Sequence, residues 1–285
     1  MATRTLQRSC VSSTERVEQV PTGRERIAQA FETATRDSRA ALMPYLMGGF
    51  PDSETATRAA RACVDSGADL VELGVPFSDP LADGPVIHAA ATRALASGVN
   101  LDSVLETARE ISDRVPVVLL CYANQVLTNP SSFIGRAGDA GVAGLIVPDL
   151  PIEEAGAVLE ECESRGLALI PLIAPTTTPE RRKAIAERAS GFVYLVSSVG
   201  TTGERSDLAD DLIEMVGEVR QLSPVPVAVG FGISTPEQAA EIGEAADGVI
   251  IGSRLVRAVA EAGDPESAAG AVSEVVGESA AALRR

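Results

Sequence analysis

Lysine is almost missing from this chain. Lys183 stands alone, and every other basic side chain is arginine. A Schiff-base mechanism needs a lysine at a strand end inside the fold. Lys183 instead falls early in a helix-like stretch opened by Pro179, beside Arg181 and Arg182, where a solvated face is expected. Histidine is equally scarce. His88 is the single one, with no serine or cysteine elbow near it, so a nucleophilic triad finds no support. It lies in the helix-like stretch Val86–Ser97 and reads as a surface or pocket-rim side chain. Tryptophan is absent. Cys10, Cys63, Cys121 and Cys162 are widely spaced without a CxxC pair, which argues against a zinc site and reads as free thiols in a reducing cytoplasm. No apolar run approaches the roughly 20 residues of a membrane span, and the N-terminus lacks the apolar core of a secretory signal. Basic charge is also short: 24 basic against 40 acidic residues give a net charge of −16. That balance argues against nucleic acid and anionic membranes as partners. It also suits a surface kept soluble at high salt, so a halophilic host is expected.

What the chain does have is alternation. Residues 1–22 are polar and aperiodic, and read as a loose extension. From Gly23, apolar residues at helical spacing predict a leading helix. Eight apolar runs then follow: Leu42–Met47, Asp69–Leu73, Val117–Tyr122, Gly144–Val147, Leu167–Ile173, Phe192–Val196, Val225–Val229 and Gly248–Ile251. Helix-period segments separate them, at about Ser53–Ser66, Pro85–Ser97, Leu101–Arg114, Pro130–Ala140, Ile152–Arg165, Pro179–Ala189, Asp207–Gln221 and Pro236–Ala245, with a final one over Pro265–Leu283. Strands without inside/outside alternation are those buried on both faces. Eight strand–helix units with right-handed crossovers close into a (β/α)8 barrel of about 250 residues. A doubly wound open sheet would more often carry a GxGxxG turn after its first strand, and none is present. No linker divides the chain, so residues 23–285 form one barrel domain. Helix starts are marked by Asp52 or Ser53, by Asp102-Ser103, and by proline at the first helical position after Thr178, Thr235 and Asp264.

In a barrel, chemistry lies at the C-terminal strand ends and in the loops that follow. Near the end of strand two an acid, Glu72, sits inside an apolar run, and the next loop carries Asp79 and Asp83. Apolar walls would raise the pKa of Glu72 and suit it to proton transfer, whereas Asp83 in a loop is easier to keep ionised. Structural alternatives stand beside these readings. Glu72 could pair with a buried arginine, and Asp79 or Asp83 could cap the helix at Pro85. After strands seven and eight come Gly230-Phe231-Gly232 and Gly252-Ser253, the latter opening a short extra helix over Arg254–Ala260. Glycine loops with a helix N-terminus form the phosphate site recurrent in this fold. The alternative is that these glycines merely make tight turns. Strand six carries Tyr194 and opens into a polar, glycine-containing segment, residues 197–203, with the makings of a lid.

The sixteen residues Leu70-Val71-Glu72-Leu73-Gly74-Val75-Pro76-Phe77-Ser78-Asp79-Pro80-Leu81-Ala82-Asp83-Gly84-Pro85 resemble the signature of the tryptophan synthase alpha chain family. So do Pro44-Tyr45 with Gly49, Tyr122-Ala123-Asn124, Pro148-Asp149-Leu150-Pro151, Tyr194-Leu195 with Gly200-Thr201-Thr202-Gly203, Gly230-Phe231-Gly232-Ile233-Ser234, and Gly252-Ser253. The resemblance runs from about Arg24 to the C-terminus. It implies a carbon–carbon lyase of tryptophan biosynthesis that cleaves indole-3-glycerol phosphate to indole and glyceraldehyde 3-phosphate. Glu72 would shuttle protons, and Asp83 would accept the indole N–H. Tyr194 would line the pocket beside Glu72. Backbone N–H groups of Gly203, Phe231, Gly232, Gly252 and Ser253 would hold the phosphate. Tyr45, Leu120, Tyr122, Ile146 and Phe231 would wall the indole, and Thr202 would belong to the lid.

The resemblance also implies a beta-chain partner in an α2β2 assembly, which carries pyridoxal phosphate and receives the indole. This chain would then hold no cofactor or metal of its own. The Asp79-Pro80 loop and the loop after strand six would couple the two subunits. A stand-alone lyase, or a subunit that mainly activates its partner, are the alternatives. Three positions depart from the family pattern. Tyr45 stands where phenylalanine is common, with its hydroxyl expected at the rim; Phe50 replaces a commonly polar residue; Ser198 falls where some members carry arginine.

Overall fold

The structure is a computed structural model. It describes residues 20–196, 205–230 and 232–284, with backbone alone for 205–210. Among these residues, nine parallel strands form one sheet: β1 (Ala41–Met47), β2 (Val71–Gly74), β3 (Val117–Leu120), β4 (Val142–Ile146), β5 (Ala168–Ile170), β6 (Leu172–Ile173), β7 (Val193–Val196), β8 (Val227–Gly230) and β9 (Gly248–Ile251). Their order is β5-β4-β3-β2-β1-β9-β8-β7-β6. The two end strands, β5 and β6, are consecutive in the chain and separated only by Pro171. They are the two halves of one barrel strand, the predicted run Leu167–Ile173. Proline has no N–H for the ladder, so the strand breaks where it stands. The expected (β/α)8 barrel is the observed fold.

Among the described residues, twelve helices accompany the strands: α1 (Gly23–Arg36), α2 (Ser53–Asp65), α3 (Pro85–Ala96), α4 (Leu101–Arg109), α5 (Ala123–Leu127), α6 (Pro130–Asp139), α7 (Gly156–Ser164), α8 (Pro179–Ala186), α9 (Arg205–Leu222), α10 (Pro236–Ala245), α11 (Ser253–Glu261) and α12 (Pro265–Ala282). The short α5 is not foreseen by periodicity, because five residues are too few to show it. The start of α4 also differs from expectation. Asn100, not Asp102, caps it, accepting from the Ser103 amide at 3.3 Å. Asp102 then falls in the first turn, where a carboxylate favours the helix dipole. Helix α7 begins at Gly156 rather than Ile152, because residues 151–154 form a turn closed by Glu154 N–H donating to Pro151 O at 2.9 Å.

Helix α1 closes the N-terminal end of the barrel. Thr22 and Glu25 form its capping box, and Ile27, Phe31 and Ala34 on one face are buried. Arg26 donates to the carbonyls of Gly141 at 3.2 Å and Val115 at 3.0 Å, fastening the helix to the strand-entry loops. Phe31 then begins an aromatic column up the interior. Its ring centroid lies 5.7 Å from that of Phe192, which in turn lies 6.4 Å from that of Tyr194. At the same lower end Arg39 grips Asp69 bidentately at 2.6 and 2.9 Å, and Asp69 also accepts from the Leu42 amide. Asp69 is thus spent on closing the barrel below Glu72. Cys63, Cys121 and Cys162 are buried free thiols, while Cys10 lies outside the described residues. Among the described residues, no helix is long and apolar enough to cross a membrane.

Candidate active site

Strand register arranges the interior in rows. Tyr45 on β1 pairs with Glu72 on β2, and Glu72 with Val118 on β3. One row nearer the mouth, Gly74 pairs with Leu120, and Leu120 with Ile146. Successive side chains of a strand alternate faces, so Glu72 and Gly74 share the face that Leu120 and Ile146 share. That this face is the interior follows from the electrostatics. Tyr194 on β7 feels the charge of Glu72 on β2, and β7 is separated from β2 by β8, β9 and β1. Such side chains meet only across the barrel.

Glu72 is 3% exposed. Its Oε1 has no hydrogen-bond partner among the described residues. Burial, and then the charge of Asp83, push its pKa up to about 8. The structural alternative, a buried arginine partner, is absent among the described residues. At neutral pH the carboxyl group therefore carries a proton it can give away.

Asp83 lies in the loop after β2. Tyr122, at the end of β3, donates from its hydroxyl to Asp83 Oδ1 at 2.9 Å and accepts from the Ala82 amide at 3.2 Å. Asp83 is half-buried, and burial raises its pKa. The loop folds back against the barrel mouth, so Asp83 is partly removed from water, though far less than Glu72. The Tyr122 hydrogen bond and the nearby His88 pull the other way, favouring the carboxylate. His88 itself is exposed on α3, as expected of a rim histidine. Neither Asp79 nor Asp83 caps α3, whose N-cap is Gly84 without a side-chain bond.

The residues that hold Tyr122 in place escaped the sequence reading of roles. Gln125 accepts from the Tyr122 amide at 2.9 Å and donates to Pro76 O at 3.1 Å, linking the loops after β2 and β3. Asp149, after β4, accepts from the Ala123 amide at 2.7 Å. Phe77 stacks on the Tyr122 ring with centroids 5.1 Å apart. The spacing Tyr122…Gln125, a cap and its partner three residues on, was the available signal for this short helix.

Tyr45 departs from expectation. Its hydroxyl is not at a rim: the side chain is 5% exposed, and the oxygen is buried without a hydrogen-bond partner among the described residues. The ring leans over Gly74, where an added Cβ would stand 2.8 Å from Tyr45 Cζ. Tyr194 repeats the device on Gly230, where a Cβ would stand 2.6 Å from Tyr194 Cε2. These two glycines leave the room the tyrosines occupy. Leu120, Tyr122 and Ile146 are buried in the same mouth.

At the phosphate candidates, Gly252 is the N-cap of α11 and supplies no side-chain cap, and Ser253 is exposed at the first helical position. The helix therefore opens with free N–H groups. Gly232, also exposed, takes φ +84°, a conformation that favours glycine. Gly203, Thr202, Phe231 and Ser198 lie outside the described residues. Phe50 is buried with the Arg93 guanidinium 5.6 Å from its ring centroid, a cation–π contact that accounts for an aromatic there. Lys183 is exposed on α8 and stands 3.8 Å from Glu187, far from any catalytic use.

A model of the family described as tryptophan synthase alpha chain matches residues 31–284. The chain belongs to the tryptophan synthase alpha chain family. The tryptophan synthase alpha chain of Thermosynechococcus vestitus is 46% identical over 253 residues, covering 87% of this chain and 94% of that one. That of Methanosarcina acetivorans is 46% identical over 241 residues, covering 84% and 88%. Among solved structures, Mycobacterium tuberculosis tryptophan synthase superposes with a TM-score of 0.84 at 40% identity, covering 93% of this chain and all of that one. Membership places the barrel in one family. It makes the chain a lyase.

Proposed function

We propose that residues 23–285 are the working alpha subunit of a tryptophan synthase. It carries out retro-aldol cleavage of indole-3-glycerol phosphate to indole and glyceraldehyde 3-phosphate, in the cytoplasm. The observation that carries this reading is the pair of unlike acids in one mouth: Glu72, buried and unpartnered at Oε1, and Asp83, anchored by Tyr122.

The chemistry follows from their states. Asp83 accepts the indole N–H, and its negative charge favours the positive charge that grows on the ring. Glu72, protonated at neutral pH, gives its proton to the ring carbon that bears the glycerol arm. As a carboxylate it then takes the proton of the hydroxyl on the adjacent arm carbon. That carbon becomes the aldehyde as its bond to the ring breaks, and the bonding pair returns to the ring. Glu72 ends the cycle protonated again. Leu120, Tyr122, Ile146, Tyr45 and Phe231 wall the ring, and Tyr194 packs beside Glu72. Backbone N–H groups of Gly203, Phe231, Gly232, Gly252 and Ser253 bind the phosphate, with Thr202 in the covering lid. The open N-terminus of α11 supports the Gly252–Ser253 part of that reading.

The partner is a beta chain in an α2β2 assembly. Pyridoxal phosphate belongs to that chain, and no step above uses it. The net charge of −16 supports a high-salt host. The deciding experiment measures indole released from indole-3-glycerol phosphate, with and without a beta chain. Release that accelerates on titration with the beta chain supports the subunit reading. Release without complex formation leaves a stand-alone lyase, and no release with either sinks the assignment.

A further inference from the structure

Three polar side chains face one another inside the barrel: Tyr45 on β1, Glu72 on β2 and Tyr194 on β7. Two of their atoms, Tyr45 Oη and Glu72 Oε1, are enclosed and lack a hydrogen-bond partner among the described residues. They belong to residues paired across adjacent strands on the same face. A buried hydroxyl without a partner is a net cost to the fold. Phenylalanine would fill the same space over Gly74 without that cost. The hydroxyl therefore finds its partner in another state of the protein, and the interior it faces is the proposed substrate site.

The substrate has three parts, and two are accounted for. The indole ring has apolar walls in Leu120 and Ile146 and an acceptor for its N–H in Asp83. The phosphate has the loops after β8 and β9. Between them runs the glycerol arm, whose hydroxyls each need a partner once water is excluded. We infer that Tyr45 is a positioning residue whose hydroxyl holds a hydroxyl of the glycerol arm between itself and Glu72. The inference rests on the lyase reading above. Tyr45 acts here as a neutral hydrogen-bonding group. Burial and the charges of Asp83 and Glu72 hold its phenol well above the ordinary range, so it is no base. Gly74 and Gly252 flank its ring, with a Cβ on Gly252 standing 3.4 Å from Tyr45 Cδ1. The side chain thus has little freedom to turn away.

The test compares the parent chain with Tyr45→Phe, each saturated with beta chain, on two ligands. One is indole-3-glycerol phosphate. The other is 3-(indol-3-yl)propyl phosphate, which keeps ring and phosphate but has no arm hydroxyl. The expected result is a rise of about fivefold in KM for the substrate, the order set by one neutral hydrogen bond. The inhibition constant of the propyl analogue should stay within about twofold of the parent's. The unfolding midpoint of the free variant should be no lower than the parent's. Equal weakening of both ligands would reduce Tyr45 to ring packing and overturn the inference, as would no change in either. A lowered midpoint would overturn it too, because the hydroxyl would then be partnered in the free chain. A parent chain that cleaves no indole-3-glycerol phosphate defeats the lyase reading itself, before the variant is compared.

Discussion

The Tyr122 hydroxyl stands between two groups of the loop after β2, donating to Asp83 Oδ1 at 2.9 Å while accepting from the Ala82 amide at 3.2 Å. One side chain from the end of β3 therefore anchors the loop acid and favours its carboxylate form against the burial that opposes it. Gln125, Asp149 and Phe77 hold that side chain from three directions.

Tyr122→Phe removes the donor and keeps the ring. The hydrogen bond lowers the Asp83 pKa, so its loss raises that pKa, and a higher pH is needed to ionise the acid. The acidic limb of the pH–rate profile for indole release should move to higher pH. At neutral pH kcat/KM should fall about tenfold to a hundredfold, the worth of a hydrogen bond to a charged group. An unmoved acidic limb would show that Tyr122 does not govern Asp83.

Glu72→Gln should reduce indole release by about 10²- to 10⁴-fold, the range of a lost general acid–base. A stability effect of definite sign accompanies it. The folded pKa, about 8, lies above the ordinary value of 4.5, so the folded state holds the proton longer than the unfolded one. The parent therefore loses stability from this group as pH rises from about 4.5 to 8, and the variant does not. Urea midpoints of variant minus parent should climb across that window and level off above it. A flat difference would place Glu72 in contact with water or a cation.

Gly74→Ala puts a Cβ within 2.8 Å of Tyr45 Cζ. Overpacking of this kind costs about 1–3 kcal/mol, read as a lowered denaturation midpoint. Paired with Tyr45→Phe the cost should shrink, because the hydroxyl that meets the new methyl is gone. Strict additivity of the two changes would mean that the glycine is not the seat of the tyrosine.

A net charge of −16 repels itself in dilute buffer, and salt screens that repulsion. The thermal midpoint should rise by several degrees between low and molar sodium chloride. A midpoint indifferent to salt would remove the case for a halophilic host.

Much of the barrel was legible because parallel strands are apolar on both faces and their helices open with marked caps. Asp52, Thr235 and Asp264 each accept from the first-turn amides as their positions foretold. Glu72 betrayed itself as a charge within an apolar run. Features made by contact across the fold were not legible. Nothing local says that Tyr45 bends over Gly74 from the neighbouring strand, so its hydroxyl looked like a rim group. The anchoring of Asp83 depends likewise on a tyrosine 39 residues away. The split of the fifth strand lay in plain view as Pro171, but its meaning required the strand order.

That order has a mechanical side. In hydrogen bonds the wall is an open ribbon whose two ends, β5 and β6, are joined only through the backbone at Pro171. The hoop is fastened there by covalent bonds rather than by a ladder, beside a cavity of about 560 Å³ lined by Asp149, Leu150 and Pro171. Of the nine strands in the ribbon, β1 is the middle one. Tyr45 and its neighbour Glu72 thus sit diametrically away from the seam. The two atoms that await a hydroxyl therefore lie on neighbouring strands in register, on the part of the ribbon where the ladder is continuous.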